Sequence, residues 1–292
     1  MPDWNGVCRA IGRVTGRETT PAGAVSLGGG CINQAFRLSA TDGRSWFVKV
    51  NDVAHLGMFE AESAGLRELA STDAIRVPEP VCCGTANRHG FLAMEYIPLR
   101  PGGDAGELGR RLAKMHHTTA GMFGWDTDNT IGSTPQINTP GSDWVAFWRE
   151  HRLGFQLRLA ASKGYAGALQ EKGARLMERF PALFETHDPQ PSLLHGDLWG
   201  GNWGSDEHGE PVIYDPAVYY GDREADLAMT ELFGGFGGDF YHAYRAGFPL
   251  DPGYPLRKTF YNIYHVLNHL NLFGGGYGAQ AEGMIDQVLS RL

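Results

Sequence analysis

Two aspartates and an asparagine, set at fixed distances beside short apolar segments, constrain this chain more than any other feature. The segment LLHGDLWGGN spans residues 193–202 and places Asp197 five positions before Asn202, and VIYDPA at residues 212–217 contains Asp215. Each of these residues is a common turn former when it is taken alone. Their order and spacing together predict a loop after one short strand and an acidic residue at the end of another.

The same three side chains are a set suited to phosphoryl transfer. A transferring phosphoryl group needs positive charge near its oxygens, and carboxylate and amide oxygens are ligands that Mg²⁺ prefers. We therefore expect Asp197 to accept the proton of an attacking hydroxyl group, and Asn202 and Asp215 to bind Mg²⁺. We expect His195 to orient the loop, and Asp226 to anchor it through backbone hydrogen bonds.

A second signal is a lysine within an apolar strand. Lys49 lies in SWFVKV at residues 45–50, where an unpaired ammonium group would be costly to bury. The next predicted helix supplies a partner, because Glu62 lies on the same helical face as the apolar Phe59 and Leu66. We expect the two charges to pair and Lys49 to bind nucleotide phosphates. The alternative is an ordinary strand lysine whose ammonium group reaches solvent.

Two further segments complete the prediction of a nucleotide site. Three glycines at positions 28–30 lie between predicted strands, where backbone N–H groups can approach phosphates. The last strand of the region ends at a predicted hinge, whose backbone groups would bind adenine. The alternatives are a common glycine-rich turn and an ordinary edge strand. The residues assigned to the cofactor are Gly28, Gly29, Gly30, Cys31, Lys49, Glu95, Tyr96 and Ile97.

The distribution of strand and helix patterns predicts an α+β chain with the bilobal protein-kinase-like fold. Residues 1–98 are expected to form a small antiparallel β lobe with one main helix, and residues 99–292 a larger, mainly helical lobe. Strands are predicted at about 24–38 in two arms, 45–50, 80–84 and 90–96, and helices at about 59–70, 107–117, 144–162, 166–179, 224–233 and 256–273. One hairpin is expected among the later helices, with arms near 192–194 and 211–214.

Composition excludes several classes of function. The formal net charge is −8 at pH 7, and no cluster of Lys and Arg suits nucleic-acid binding. The N-terminus does not resemble a signal peptide, and no run approaches the roughly 20 apolar residues of a membrane span, so no membrane partner is expected. Four cysteines without metal-ligand spacing indicate free thiols in a reducing cytoplasm.

With these residues in place, the chain resembles the fructosamine-3-kinase (ketosamine-3-kinase) family, in the aminoglycoside phosphotransferase-like branch of protein-kinase-like folds. The resemblance implies transfer of the ATP γ-phosphate to the 3-hydroxyl of a ketosamine, the adduct of a sugar and an amine. The phosphorylated adduct then eliminates and frees the amine, so such kinases are deglycation enzymes. The strings that carry the resemblance are GGGCINQAF (28–36), FVKVN (47–51), FEAESAGLREL (59–69), LLHGDLWGGN (193–202), IYDPAVYYGDREADLAM (213–229), LFGGF (232–236) and LNHLNLFG (267–274).

The resemblance implies the same catalytic, phosphate and Mg²⁺ roles as above, and adds residues on the substrate side. Trp199, Asn268 and His269 are expected sugar contacts, although Asn268 and His269 are equally explained as a polar pair inside the helical lobe. A cysteine at position 31 belongs to the family pattern. It indicates either a redox-sensitive loop, with the chain a monomer or a redox-dependent dimer, or a small residue that fits a tight turn.

The partners implied are ATP and a ketosamine carried by a protein or a small amine. Microbial members of the family tend to prefer ribulosamines and erythrulosamines over fructosamines, and we expect the same preference here. Two alternatives stay open. Aminoglycoside and choline phosphotransferases use the same catalytic set, so only the substrate side separates them. The second alternative is a catalytically inactive module that binds nucleotide or senses redox state, although such proteins usually lack one of the Lys and Asp residues present here.

Overall fold

An antiparallel sheet of five strands is the largest element of the first unit of the chain in the computed structural model, which describes residues 2–28 and 32–292. This unit contains Met1–Asp104 and Trp203–Asp215. Its elements up to residue 104 are α1 (Trp4–Thr15), β1 (Pro21–Leu27), β2 (Gln34–Ala40), β3 (Ser45–Asp52), α2 (Leu56–Ser71), β4 (Pro80–Ala86), β5 (His89–Glu95) and β6 (Arg100–Pro101). The five strands follow the order β1-β2-β3-β5-β4.

The second unit, Ala105–Asn202 and Pro216–Leu292, is mainly helical. A π-helical turn at Trp148–Leu153 joins α4 to α5. The elements of the remaining chain are α3 (Ala105–His116), β7 (Asn129–Ile131), β8 (Thr134–Gln136), α4 (Trp144–Phe147), α5 (Gly154–Ser162), α6 (Ala168–Arg179), β9 (Ser192–Leu194), β10 (Trp203–Ser205), β11 (Pro211–Ile213), β12 (Tyr219–Gly221), α7 (Glu224–Leu232), α8 (Gly238–Gly247), α9 (Tyr254–Phe273) and α10 (Tyr277–Leu289). Within the described residues, no helix is both long and apolar enough to cross a membrane.

The segment that contains β10 and β11 belongs to the first unit because of its strand pairing. β10 pairs on one side with β11 and on the other with β6, so these three strands form a separate small antiparallel sheet. The sequence predicts one boundary near residue 98. The first unit of the structure extends to Asp104 and also contains Trp203–Asp215.

One cluster of buried apolar residues in the first unit lies between the sheet and α1. Val7, Cys8 and Ile11 of α1 are buried against strand residues such as Leu38 and Val48. This helix is not among those predicted from the sequence, although its apolar residues recur at helical spacing. Asp3 caps its start by accepting a hydrogen bond from the Gly6 amide at 2.9 Å.

The core of the second unit is built around α9, which is buried on most of its circumference. Trp148 of the π-helical turn packs edge-on against Tyr261, with ring centroids 4.8 Å apart. The sequence predicted this helix and those at α3, α6 and α7 to within a few residues, and missed α8 and α10. The α+β class is confirmed.

One predicted pairing is wrong. The sequence joined residues 192–194 and 211–214 as the two arms of a single hairpin. In the structure, β9 pairs with β12 and β11 pairs with β10, so the two arms belong to different sheets. Both are strands of three residues, too short for alternation of apolar and polar side chains to specify a partner.

Candidate active site

In the first unit, one lysine and two carboxylates form a charged cluster. Lys49 on β3 places Nζ 2.6 Å from Oε1 of Glu62 on α2, and the same Nζ contacts the carboxylate of Asp215. The side chains of Lys49 and Glu62 are each 9% exposed, whereas that of Asp215 is 49% exposed. Burial lowers the pKa of Lys49, but the charges of Asp215 and Glu62 outweigh it and the net pKa is raised. The ammonium group therefore stays charged at neutral pH.

Asp215 has an unusual backbone conformation. It follows β11 and has φ of 57°, in the left-handed region that few residues other than glycine adopt. Aspartate and asparagine tolerate this region better than other residues, because their short polar side chains can bond locally. Such a conformation costs on the order of 1–3 kcal/mol and persists where the surrounding structure enforces it, often at a functional site.

Arg76 links the end of β5 to the hairpin that precedes Asp215, and it is not among the residues predicted from the sequence. Its guanidinium donates to Oε1 of Glu95 at 2.6 Å and also bonds the carboxylate of Asp206, in the turn of the β10–β11 hairpin. The backbone carbonyl of Arg76 accepts a hydrogen bond from the Ile213 amide at 3.0 Å. Arg76 thus connects the predicted hinge to the strand before Asp215 through its side chain and its backbone.

Of the remaining residues assigned to the nucleotide, those that the structure describes lie directly after β1 and at or after the end of β5. Gly28 follows β1, whereas Gly29, Gly30 and Cys31 lie outside the described residues. At the hinge, Ile97 is buried, and the ring of Tyr96 lies against the guanidinium of Arg37, with 4.6 Å from Cζ to the ring centroid. The Glu95 side chain is bonded to Arg76, so any contact of this residue with a nucleotide falls to its backbone.

In the second unit, the loop that follows β9 is fixed by a buried carboxylate. Oδ2 of Asp226 accepts from the His195 amide at 2.7 Å and Oδ1 accepts from the Gly196 amide at 2.8 Å. Burial raises the pKa of Asp226, but hydrogen bonds from His116 and Gly196 outweigh it and the net pKa is lowered. Gly196 has φ of 82° and lies so close to the carbonyl of Ala217 that no Cβ could fit there. The loop geometry therefore requires both the glycine and the ionised Asp226.

Further along the same loop, Asn202 is tied to Asp197. Nδ2 of Asn202 donates to the backbone carbonyl of Asp197 at 2.8 Å. The amide oxygen of Asn202 is then the atom that a cation would bind. His195 also supports the loop, because its Nδ1 accepts a hydrogen bond from the Asp197 amide at 3.3 Å.

The structure brings two of the three predicted sugar contacts together and separates the third. The Trp199 indole lies over Gly201 and meets the ring of Phe233, which lies 5.0 Å from that of His269. Asn268 is buried, where its Oδ1 accepts from Gln156 at 3.2 Å. These contacts of Asn268 match its alternative role, that of a polar residue inside the helical lobe.

These features define a class of protein. An α+β chain with a buried Lys–Glu pair, an Asp after a short strand, and an Asp-containing loop with Asn five residues later is a protein-kinase-like phosphotransferase, a class that uses ATP. Choline kinase LicA from Streptococcus pneumoniae has the same fold, with a TM-score of 0.63 at 14% identity, covering 98% of each chain.

Sequence similarity assigns the chain to one family among the proteins that share this fold. Residues 3–291 match the family model described as fructosamine kinase, and the chain belongs to that family. A chloroplastic protein-ribulosamine 3-kinase of Oryza sativa is 47% identical over 281 residues, covering 95% of this chain and 82% of its own length. A Synechocystis protein named a probable ketoamine kinase is 45% identical over 290 residues, covering 98% and 97%. A solved Haemophilus somnus structure, assigned as a fructosamine-3-kinase, has a TM-score of 0.89 at 28% identity, covering 98% and 97%.

Proposed function

We propose that this chain is an ATP-dependent ketosamine 3-kinase that phosphorylates the 3-hydroxyl of sugar–amine adducts. The observation that carries the proposal is the loop fixed by Asp226, which contains a carboxylate, Asp197, and an exposed aromatic face, Trp199, two residues apart. A carboxylate can take a hydroxyl proton, and an aromatic face suits the apolar side of a sugar. The names of relatives at 45% and 47% identity support a ketosamine as the acceptor.

In the first unit, Lys49 is proposed to bind the phosphates of ATP. Its charge is secured by Glu62 and Asp215, and a charged ammonium group stabilises the negative oxygens of a transferring phosphoryl group. Asp215 offers a half-exposed carboxylate, which fits a Mg²⁺ ligand because Mg²⁺ prefers hard oxygen donors. ATP supplies the phosphoryl group, and Mg²⁺ neutralises charge on its oxygens.

In the second unit, Asp197 is proposed to orient the 3-hydroxyl and to receive its proton. Asn202 contributes its amide oxygen to Mg²⁺, since its nitrogen is already engaged with the Asp197 carbonyl. Trp199 and His269 are proposed to contact the sugar. His269 donates Nδ1–H to the carbonyl of His265 at 2.8 Å, so its Nε2 is the atom that can accept from a sugar hydroxyl.

The consequence proposed for the cell is deglycation. A sugar amine phosphorylated at this carbon eliminates, so the amine is released from a glycated protein or small molecule. Ribulosamines and erythrulosamines are the expected adducts. A reducing cytoplasm is the proposed location, in keeping with the free thiols of Cys8, Cys82 and Cys83. Aminoglycosides and choline are disfavoured as substrates, because similarity to a choline kinase extends only to the fold.

The test is an ATP-consumption assay with erythrulosamine, ribulosamine and fructosamine adducts of a blocked lysine, beside an aminoglycoside panel and choline. We expect turnover of the ketosamines alone, with ³¹P NMR showing a 3-phosphate. Asp197→Asn is expected to lower kcat by about 10²–10⁴-fold, the range for general-base catalysis. Asp239→Asn, at an exposed aspartate of the same unit, is the control. Turnover of an aminoglycoside or choline alone, or full activity in Asp197→Asn, would overturn the proposal.

A further inference from the structure

Two buried backbone carbonyls just before β12 are held by side chains of the β7–β8 hairpin. Nδ2 of Asn129 donates to the Val218 carbonyl at 2.7 Å, and Nε2 of Gln136 donates to the Ala217 carbonyl at 3.0 Å. The same nitrogen of Gln136 donates to Oδ1 of Asn129 at 2.8 Å. Oε1 of Gln136 accepts from the Tyr264 hydroxyl at 2.8 Å, so the orientation of the Gln136 amide is fixed.

The held segment contacts the loop that contains Asp197. The Ala217 amide donates to the carbonyl of His195 at 2.8 Å. The Ala217 carbonyl is also the group that leaves no room for a Cβ at Gly196. Asp226 accepts from the amides of His195 and Gly196, as described above. The start of the loop is therefore fixed through its amides by a carboxylate and through a carbonyl by the Ala217 peptide.

A buried arginine supports the hairpin. Arg152 lies in the π-helical turn and is fully buried, and no carboxylate in the described part of the chain pairs with it. Its Nη1 donates to the Ile137 carbonyl and its Nη2 to Oδ1 of Asn138, each at 2.7 Å. Nδ2 of Asn138 donates in turn to Oδ1 of Asn129 at 3.0 Å. The guanidinium therefore connects to the side chains that hold the segment before β12.

This network is costly for a purely stabilising role. A buried charge without an opposite charge is expensive, and apolar residues in place of buried charges are often neutral or stabilising. Nε of Arg152 has no hydrogen-bond partner among residues 2–28 and 32–292, which adds to the cost. A buried polar network instead specifies one geometry, because a shifted arrangement leaves donors or acceptors unpaired. π-helical turns are also frequent at functional sites.

We propose that Gln136 and Asn129 are positioning residues for phosphoryl transfer. They fix the Ala217 peptide, and this peptide fixes the loop on which Asp197 lies. They act through the backbone and not on the reacting atoms. The inference rests on the proposed function, in which Asp197 receives the proton of the 3-hydroxyl. A displacement of about 1 Å at a reacting group can cost about 100-fold in rate, so the effect belongs in kcat.

The experiment combines kinetics on a ribulosylated blocked lysine with hydrogen-exchange mass spectrometry of residues 193–202. Gln136→Met keeps the length of the side chain and removes its hydrogen bonds. It is expected to lower kcat by about 10- to 100-fold, with KM for ATP within about 2-fold of wild type, and to speed exchange in the loop. Asn129→Leu is the second variant, with the same expected directions.

Gln170→Met is the matched control. Gln170 lies on α6 of the same unit, and its Nε2 also donates to two backbone carbonyls, at 3.2 and 2.9 Å. We expect this variant to lose stability in urea unfolding while kcat and exchange of the loop stay at wild-type values.

The outcomes separate this inference from the proposed function. Lower kcat and faster loop exchange in Gln136→Met or Asn129→Leu, absent in Gln170→Met, support the positioning role. Wild-type kcat or unchanged loop exchange in both variants would overturn it and leave the kinase function intact. The same holds if kcat falls equally in Gln170→Met, or if neither variant folds, because the network would then have only a structural role. Absence of ketosamine turnover by the wild type would overturn the proposed function, and the positioning role with it.

Discussion

Replacing Glu62 by glutamine tests whether the buried ion pair on β3 and α2 positions Lys49. Removing one partner of a buried pair commonly costs about 3–5 kcal/mol, because the other charge is left buried and uncompensated. Two features reduce that figure here. Glutamine keeps an acceptor oxygen in the same place, and Lys49 retains its contact with Asp215. Asp215 is 49% exposed, so solvent weakens its attraction for the ammonium group.

The expected loss is therefore that of one charge-assisted hydrogen bond. We expect Glu62→Gln to lower the free energy of unfolding by about 1.5–3 kcal/mol. If the pair also positions Lys49 on the ATP phosphates during transfer, its loss raises the activation free energy of the reaction by the same amount. At about 1.36 kcal/mol per factor of ten, kcat/KM for ATP then falls by about 10- to 150-fold.

The assays are urea unfolding followed by tryptophan fluorescence and steady-state kinetics with varied ATP. Glu60→Gln is the matched control, because Glu60 is an exposed glutamate two positions earlier on the same helix. The variants Lys49→Met and Lys49→Met/Glu62→Gln complete a double-mutant cycle, in which we expect a coupling energy of about 1–3 kcal/mol. A Glu62→Gln variant as stable and as active as Glu60→Gln, or a cycle with no coupling, would refute the reasoning.

Two further predictions concern the second unit. Gly201→Ala is expected to lower kcat/KM for a ribulosamine by up to about 10-fold, with KM for ATP unchanged, because a Cβ would collide with the Trp199 indole. Gly200→Ala is the control, because a Cβ at Gly200 would meet no other atom. Equal effects of the two substitutions would contradict the prediction. Burial lowers the pKa of His187, but its hydrogen bond to Asp222 at 2.7 Å and the charge of that carboxylate outweigh it and raise the pKa. The pair is therefore fully stabilising below about pH 6.5, the unfolded pKa, and its contribution is lost as the pH rises through the folded pKa. His187→Gln should cost about 1.5–3 kcal/mol in urea unfolding at about pH 5.5 and much less at about pH 9, so a pH-independent loss would argue against the charged pair.

The parts of the site that sequence could predict are those that local pattern or buried charge specifies. Lys49 and Glu62 were paired because two charges in apolar surroundings need each other, and the structure has them in contact. The contact of Lys49 with Asp215 joins residues 166 positions apart, and no local pattern contains that information. Arg76 was not predicted for the same reason, since its partners lie on β5 and on the distant β10–β11 hairpin.

The errors in the fold have an equally local origin. β9 and β11 each have three residues, all buried, so neither shows an alternation that would identify its partner strand. The ring contacts that connect Trp199 to His269 through Phe233 join three segments of the second unit, and they form only because α7 packs against α9.

The left-handed backbone at Asp215 limits how this position can change during evolution. Glycine adopts φ of 57° without strain and asparagine does so at small cost, whereas most other side chains would strain the turn. Asparagine and glycine are each one nucleotide substitution from aspartate. Gene copies that lose phosphoryl transfer should therefore drift first to Asn or Gly at position 215, and remain folded. An alanine variant at this position would change the turn as well as the carboxylate, so asparagine is the cleaner replacement for studying the charge alone.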